Sequence, residues 1–198
     1  MRNRFVIGSA LVASLVLGTT AGAAAGPATE QLKSEIARVI ATIENPSLQP
    51  ESRTAERRQA IRTITDGIFD WPEMARQALG RHWEERTAAE QAEFVALFRD
   101  LLERAYIGKI ERYGAENVAY VGEATDDDAA MVRTRVTLRP GQEVMVDYRM
   151  ARQGARWMIH DVVIESVSLV ANYRTQFEGV IKTSSYRDLI KKIRTRLS

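Results

Sequence analysis

Apolar residues at Leu32, Ile36, Val39, Ile40 and Ile43 recur every three or four positions, which predicts a helix from Glu30 to Glu44. Asn45-Pro46 ends it, since proline cannot continue the hydrogen-bond ladder. Pro50 to Thr54 reads as a short linker, and Ile61, Ile64 and Ile68 mark a second helix. Asp70-Trp71-Pro72-Glu73 opens a third. Asp70 caps, Pro72 suits the first turn, Glu73 favours the positive helix end, and the helix stops near Gly80. Thr87-Ala88-Ala89-Glu90 is a capping box that starts the longest helix. Its apolar face runs through Phe94, Leu97, Phe98, Leu101, Leu102, Ala105, Tyr106 and Ile110 to Tyr113, with Gly114 as the expected C-cap.

Beyond Gly114 the period changes to two. Asn117 to Val121 predicts a first strand. Ala129 to Leu138 sets Val132, Thr134, Val136 and Leu138 against Arg133, Arg135 and Thr137. Glu143 to Met150 sets Val144, Val146, Tyr148 and Met150 against Met145, Asp147 and Arg149. Arg139-Pro140-Gly141-Gln142 reads as a four-residue turn with Gly141 at positive φ. That turn would set Val144 opposite Thr137, so uniting both apolar sets on one face requires a one-residue bulge. Gln153-Gly154 leads into a strand from Arg156 to Glu165. Helical period returns over Ser166 to Lys182 with Val170, Tyr173 and Phe177, and again over Tyr186 to Arg196 after Ser184-Ser185. Helices, then an antiparallel sheet, then helices describe an α+β domain.

The amino terminus has a different composition. Arg2 and Arg4 precede an uncharged apolar run from Phe5 to Leu17, and Ala21-Gly22-Ala23 and Ala23-Ala24-Ala25 offer small residues for a signal peptidase. Residues 1–25 therefore read as a cleaved signal peptide. The run is shorter than the ~20 residues of a spanning helix. The remaining 26–198 read as one domain: a helical lobe over 28–113, a sheet over 117–165 and C-terminal helices over 166–197. The whole chain holds 28 Lys+Arg against 26 Asp+Glu, and the leader removes two arginines. The exported chain is then formally neutral, so its charge is no argument for nucleic acid. It contains no cysteine, which excludes disulfides, thiol chemistry and a lipoprotein anchor.

Candidate chemistry is sparse. No His-Glu-x-x-His, nucleophile elbow, phosphate loop or EF-hand loop occurs, so no catalytic residue, metal ligand or cofactor is expected. His160-Asp161 suggests a dyad, but neighbours on a strand point to opposite faces. Asp161 is expected to bond the backbone at a sheet edge or to pair with an arginine. Asp126-Asp127-Asp128 reads as an exposed turn, and the basic end of the last helix (Lys191, Lys192, Arg194, Arg196) as a solvated terminus.

Two segments carry a family resemblance. Phe69-Asp70-Trp71-Pro72-Glu73-Met74-Ala75 continues through Ala78-Leu79-Gly80 and Trp83 to Gln91, Phe94, Phe98, Leu102 and Tyr106. Asp161-Val162-Val163-Ile164-Glu165-Ser166-Val167-Ser168-Leu169-Val170 is followed by Asn172-Tyr173-Arg174 and Phe177. Together they resemble the MlaC family, the toluene-tolerance auxiliary proteins, over essentially the whole mature chain. The resemblance implies an NTF2-like curved sheet packed with helices, with an apolar cavity between them. It also implies a periplasmic phospholipid carrier that maintains outer-membrane lipid asymmetry and is not an enzyme. Its implied partners are phospholipid, the MCE-domain ring of an inner-membrane ABC transporter complex, and an outer-membrane lipoprotein–porin complex. By position, Tyr106, Val144 and Val167 match pocket-lining residues; the apolar pattern adds Val146, Tyr148, Ile164, Leu169 and Tyr173. Where the family usually has Gly, this chain has Ser166.

Three other readings stay open at this level. One is a carrier of another lipid such as a hopanoid. A second is an NTF2-like small-molecule enzyme using Asp161 or His160. The third is an adaptor that bridges two membrane complexes.

Overall fold

The computed structural model describes residues 25–113, 115–139 and 141–198. The signal-peptide reading falls outside them except for Ala25, and so do the expected cap Gly114 and the turn residue Pro140. Helix α1 spans Pro27–Glu44, α2 Thr54–Asp66, α3 Trp71–Leu79 and α4 Ala88–Tyr113. Strands β1 (Ala115–Asp126), β2 (Ala129–Leu138), β3 (Gln142–Gln153), β4 (Arg156–Ile164) and the short β5 (Val167–Ser168) follow. Helices α5 (Leu169–Thr183) and α6 (Tyr186–Leu197) close the chain. The strands form one antiparallel sheet in chain order. The fold is α+β, consistent with the NTF2-like expectation.

The caps read from the sequence are formed. Asp70 accepts the Glu73 N–H at 3.0 Å. Thr87 and Glu90 exchange bonds of 2.8 and 3.2 Å between side chain and backbone. Ser185 accepts the Asp188 N–H at 3.1 Å. Each satisfies a donor that the helix itself leaves open.

Three local readings change. β2 and β3 pair without a bulge, Val136 opposite Val144 and Leu138 opposite Gln142. The odd residue is absorbed by a three-residue loop, 139–141, in which Gly141 takes φ 96° and donates to the Leu138 carbonyl. β1 is longer than Asn117–Val121 and carries two register shifts, one leaving Val121 out of the ladder. Val167 and Ser168 form a strand rather than a helix start. Glu165 and Ser166 turn the chain back with φ of 47° and 67°, and Ser168 then caps α5.

Two apolar cores result. The helical core joins α3, α4, α5 and α6, with Phe98 edge-on to Tyr173 at 5.4 Å and to Phe177 at 5.8 Å. The sheet core joins Ala28 and Leu32 of α1 with Ile68 and the inward side of β2, β3 and β4. Phe69 and Tyr106 border both cores. Glu123 of β1 holds the start of α1 onto the sheet by accepting the Thr29 N–H at 2.8 Å. Helix α2 is fastened to α4 by ion pairs. Arg57 and Arg58 both reach Glu111 at 2.9 Å, and Arg62 reaches Asp100 at 2.8 Å.

Candidate functional site

Strand register decides which side chains share the inward face. Val132 lies opposite Tyr148, Thr134 opposite Val146, and Val136 opposite Val144. Tyr120 of β1 is opposite Thr134. On β4, Val162 and Ile164 stand opposite Tyr148 and Val146, and Val167 of β5 opposite Ile164. Directly opposite residues point to the same side of a sheet, so these positions form one continuous face. Over Ala130–Leu138 of β2 and Gln142–Met150 of β3 the face carries no charged residue; Arg152 of β3, opposite Trp157, lies beyond the enclosed end and pairs with Asp128.

Burial on this face falls steadily in one direction. Met150, Val132 and Thr134 are fully enclosed, while Tyr148, Val146, Val144 and Val136 are only half-buried. Val167, at the end of the row, is 53% exposed. Helix α1 repeats the gradient: Leu32 is enclosed, but Ile36, Val39, Ile40 and Ile43 are half-open. On α4 the sequence runs from enclosed Phe94 and Phe98 to half-buried Tyr106 and to Ile110 at 46% exposure. Ile36, Tyr106, Tyr120, Val146, Tyr148 and Ile164 all pack at the border of the sheet core. Leaving such a surface partly wet costs about 25 cal/mol per Å² of apolar area. A contiguous, partly uncovered apolar surface marks a place where something else binds.

The polar atoms here are phenols and one hydroxyl. Thr134 donates to the Val146 carbonyl at 2.8 Å. Burial pushes the Tyr148 phenol well above its ordinary range; nearby Tyr120 adds to this and the Thr134 hydroxyl opposes it. Burial, helped by the Glu30 charge, lifts Tyr120 to about 12. Tyr106 is also raised, by burial and by Tyr173. All three phenols therefore remain protonated at neutral pH.

Of the residues expected to line a pocket, Tyr106, Val146, Tyr148, Ile164 and Leu169 lie in or beside the sheet core. Val144 and Val167 continue the same face toward its open end. Tyr173 is in the helical core, against Phe98. Sequence reasoning missed Ile36, Phe69 and Tyr120. Ile36 was legible as part of the α1 stripe; the other two depend on the tertiary packing.

The His160-Asp161 pair is structural. His160 is the extra residue of a bulge in β4, since Arg149 pairs with Asp161 and Met150 with Ile159. Asp161 is buried and accepts from Arg149 at 3.0 Å, from the Ser168 hydroxyl at 2.7 Å and from the Val170 N–H at 3.1 Å. The backbone bond and the arginine pairing expected of it are both present. Asp128, in the acidic hairpin turn, pairs with Arg152. An open depression near His82, Arg86, Tyr186 and Asp188 has a charged lining, ill suited to an apolar ligand.

The family model described as MlaC protein matches residues 33–195. The chain belongs to the MlaC family. Among solved structures it is similar to the phospholipid-binding protein from Ralstonia solanacearum, determined in complex with a phospholipid. The TM-score is 0.75 at 27% identity, over 87% of this chain and 97% of that one. No curated protein sequence matches. MlaC membership also gives the turn at Glu165-Ser166 its context, because the position with φ 67° is the one where the resemblance leads one to expect glycine. Among the described residues of this MlaC protein, no helix is long and apolar enough to cross a membrane.

Proposed function

We propose that this protein is a periplasmic phospholipid carrier, and that the half-open apolar face is where the acyl chains lie. The observation that carries this reading is the shared burial gradient along β2, β3 and α1 around the sheet core, with Tyr106 of α4 at its border. Family membership and the phospholipid bound by the Ralstonia relative support it. Tyr106, Val144, Val146, Tyr148, Ile164, Val167 and Leu169 contact the cargo. Tyr173 supports Tyr106 from the helical core.

The energetics suit the task. Two acyl chains hold about thirty methylenes, and exposing them to water costs on the order of 25 kcal/mol. A carrier must replace nearly all of that burial, while the headgroup can stay in water. The protein binds and releases cargo; it performs no covalent chemistry and needs no cofactor. It receives and delivers lipid at an inner-membrane ABC transporter complex with an MCE-domain ring and at an outer-membrane lipoprotein–porin complex.

Native mass spectrometry of protein gently purified from a periplasmic fraction tests this. A protein-plus-phospholipid mass is expected. Apo protein alone, together with no transfer of labelled phospholipid between vesicles, would overturn the reading.

A further inference from the structure

Three hydroxyls on the inward face of the sheet, those of Thr134, Tyr148 and Tyr120, are not equivalent. Thr134 is fully enclosed and spends its proton on the Val146 carbonyl. Tyr148 lies against the Thr134 hydroxyl, whose oxygen remains an acceptor. The Tyr120 hydroxyl has no hydrogen-bond partner among the described residues. The half-buried phenol therefore keeps a donor available to water or to a bound molecule.

Tyr120 is on β1, the outer strand of the sheet, opposite Thr134. It feels the charge of Glu30, in the exposed first turn of α1. The phenol therefore stands where the apolar face meets solvent along the seam of α1 and β1. Its ring packs against the sheet core.

In a diacyl phospholipid, the acyl-ester carbonyls are the last polar groups before the hydrocarbon. Drawn into an apolar site without a donor, a carbonyl loses its hydrogen bond to water. A phosphate would demand cationic partners, and neither β2 nor β3 up to Met150 offers one on this face.

Building on the proposed carrier function, we propose that Tyr120 donates a hydrogen bond to an acyl-ester carbonyl of the cargo. The protein thereby selects ester lipids over lipids that lack a carbonyl at this depth. Tyr120 keeps its proton throughout the physiological range, so the donor is always present. The same preference disfavours a hopanoid or a dialkyl ether lipid.

The test compares diacyl and dialkyl-ether phosphatidylglycerol of equal chain length, bound to the intact mature protein and to Tyr120→Phe. Unchanged thermal unfolding of the variant establishes that its ring still packs. The wild-type protein is expected to prefer the diacyl lipid by about fivefold, the value of one hydrogen bond. Tyr120→Phe is expected to lose that preference while binding the ether lipid as the wild type does. Equal binding of both lipids by the wild type overturns the proposal and leaves the carrier reading intact. Persistence of the preference in Tyr120→Phe also overturns it. Failure of the wild type to bind either lipid overturns both. The ester-against-ether comparison in the wild type requires no substitution, so it stands even if the variant misfolds.

Discussion

The Ser168 hydroxyl donates to the Asp161 carboxylate at 2.7 Å and accepts the Ala171 N–H at 3.0 Å. One short relay thus joins β4 to the start of α5. Asp161 completes it by accepting the buried Val170 N–H. Asp161→Ala is expected to destabilise the protein by about 3 kcal/mol, because it strands that N–H and removes the Arg149 pairing. Urea unfolding measures this. Lipid content per folded molecule should not change; a loss of lipid at unaltered stability would contradict the structural role.

Glu165 and Ser166 occupy the left-handed region, which costs an L-residue roughly 1–2 kcal/mol. Glu165 recovers part of this by accepting the Met145 N–H at 2.5 Å. Among the described residues, Ser166 makes no such compensating bond across the sheet. Ser166→Gly should therefore stabilise the protein by about 1 kcal/mol and raise the melting temperature by about 2–4 °C. A lowered melting temperature would show that the serine carries no strain.

Val144 faces Val136 at the half-open end of the inward face. Val144→Arg sets a charge among apolar neighbours yet leaves the enclosed core untouched. Phospholipid retention is expected to fall by an order of magnitude or more, with unfolding free energy within about 1 kcal/mol of wild type. Tyr106→Gln should act in the same direction. Full retention in both variants, read by phosphorus content, would remove this face from the cargo's path.

Burial alone would raise the Glu111 carboxyl; the hydrogen bonds and charges of Arg58 and Arg57 hold it below the ordinary 4.5 instead. A depressed carboxylate stabilises the fold above 4.5, and that contribution is lost as pH falls through the folded value. Glu111→Gln should cost about 1–2 kcal/mol at pH 7. The difference from wild type should shrink as pH falls below 4.5. Denaturant unfolding at pH 7 and pH 3.5 checks the sign, and an equal cost at both values would exclude this seam as the source.

Much of the fold was legible in local signals. Asp70, Thr87-Glu90 and Ser185 mark helix starts because a side-chain oxygen must meet an open N–H within three residues. Alternation in β2 and β3 placed Val132, Val136, Val144, Val146 and Tyr148 on one face before any pairing was known. The loop between them was misread by one residue, because turn length is set by closure of the ladder and not by the turn sequence alone. Val167 and Ser168 look helical beside Val170 and Tyr173, but a tight turn at positive φ diverts them into a strand.

By itself, the sequence determined the order of elements, the inward sets of β2 and β3, and the cysteine-free composition. Those follow from periodicity and composition, which are local properties. Tertiary structure decided that the inward face is closed at Met150 and open at Val167, that Phe69 and Tyr106 border both cores, and that Tyr120 packs at the border of the sheet core. These are properties of what covers a residue, and cover comes from segments distant in the chain. A half-buried valine and a core valine have the same place in an alternating pattern; only the packing of α1 and of Tyr106 against the sheet core separates them.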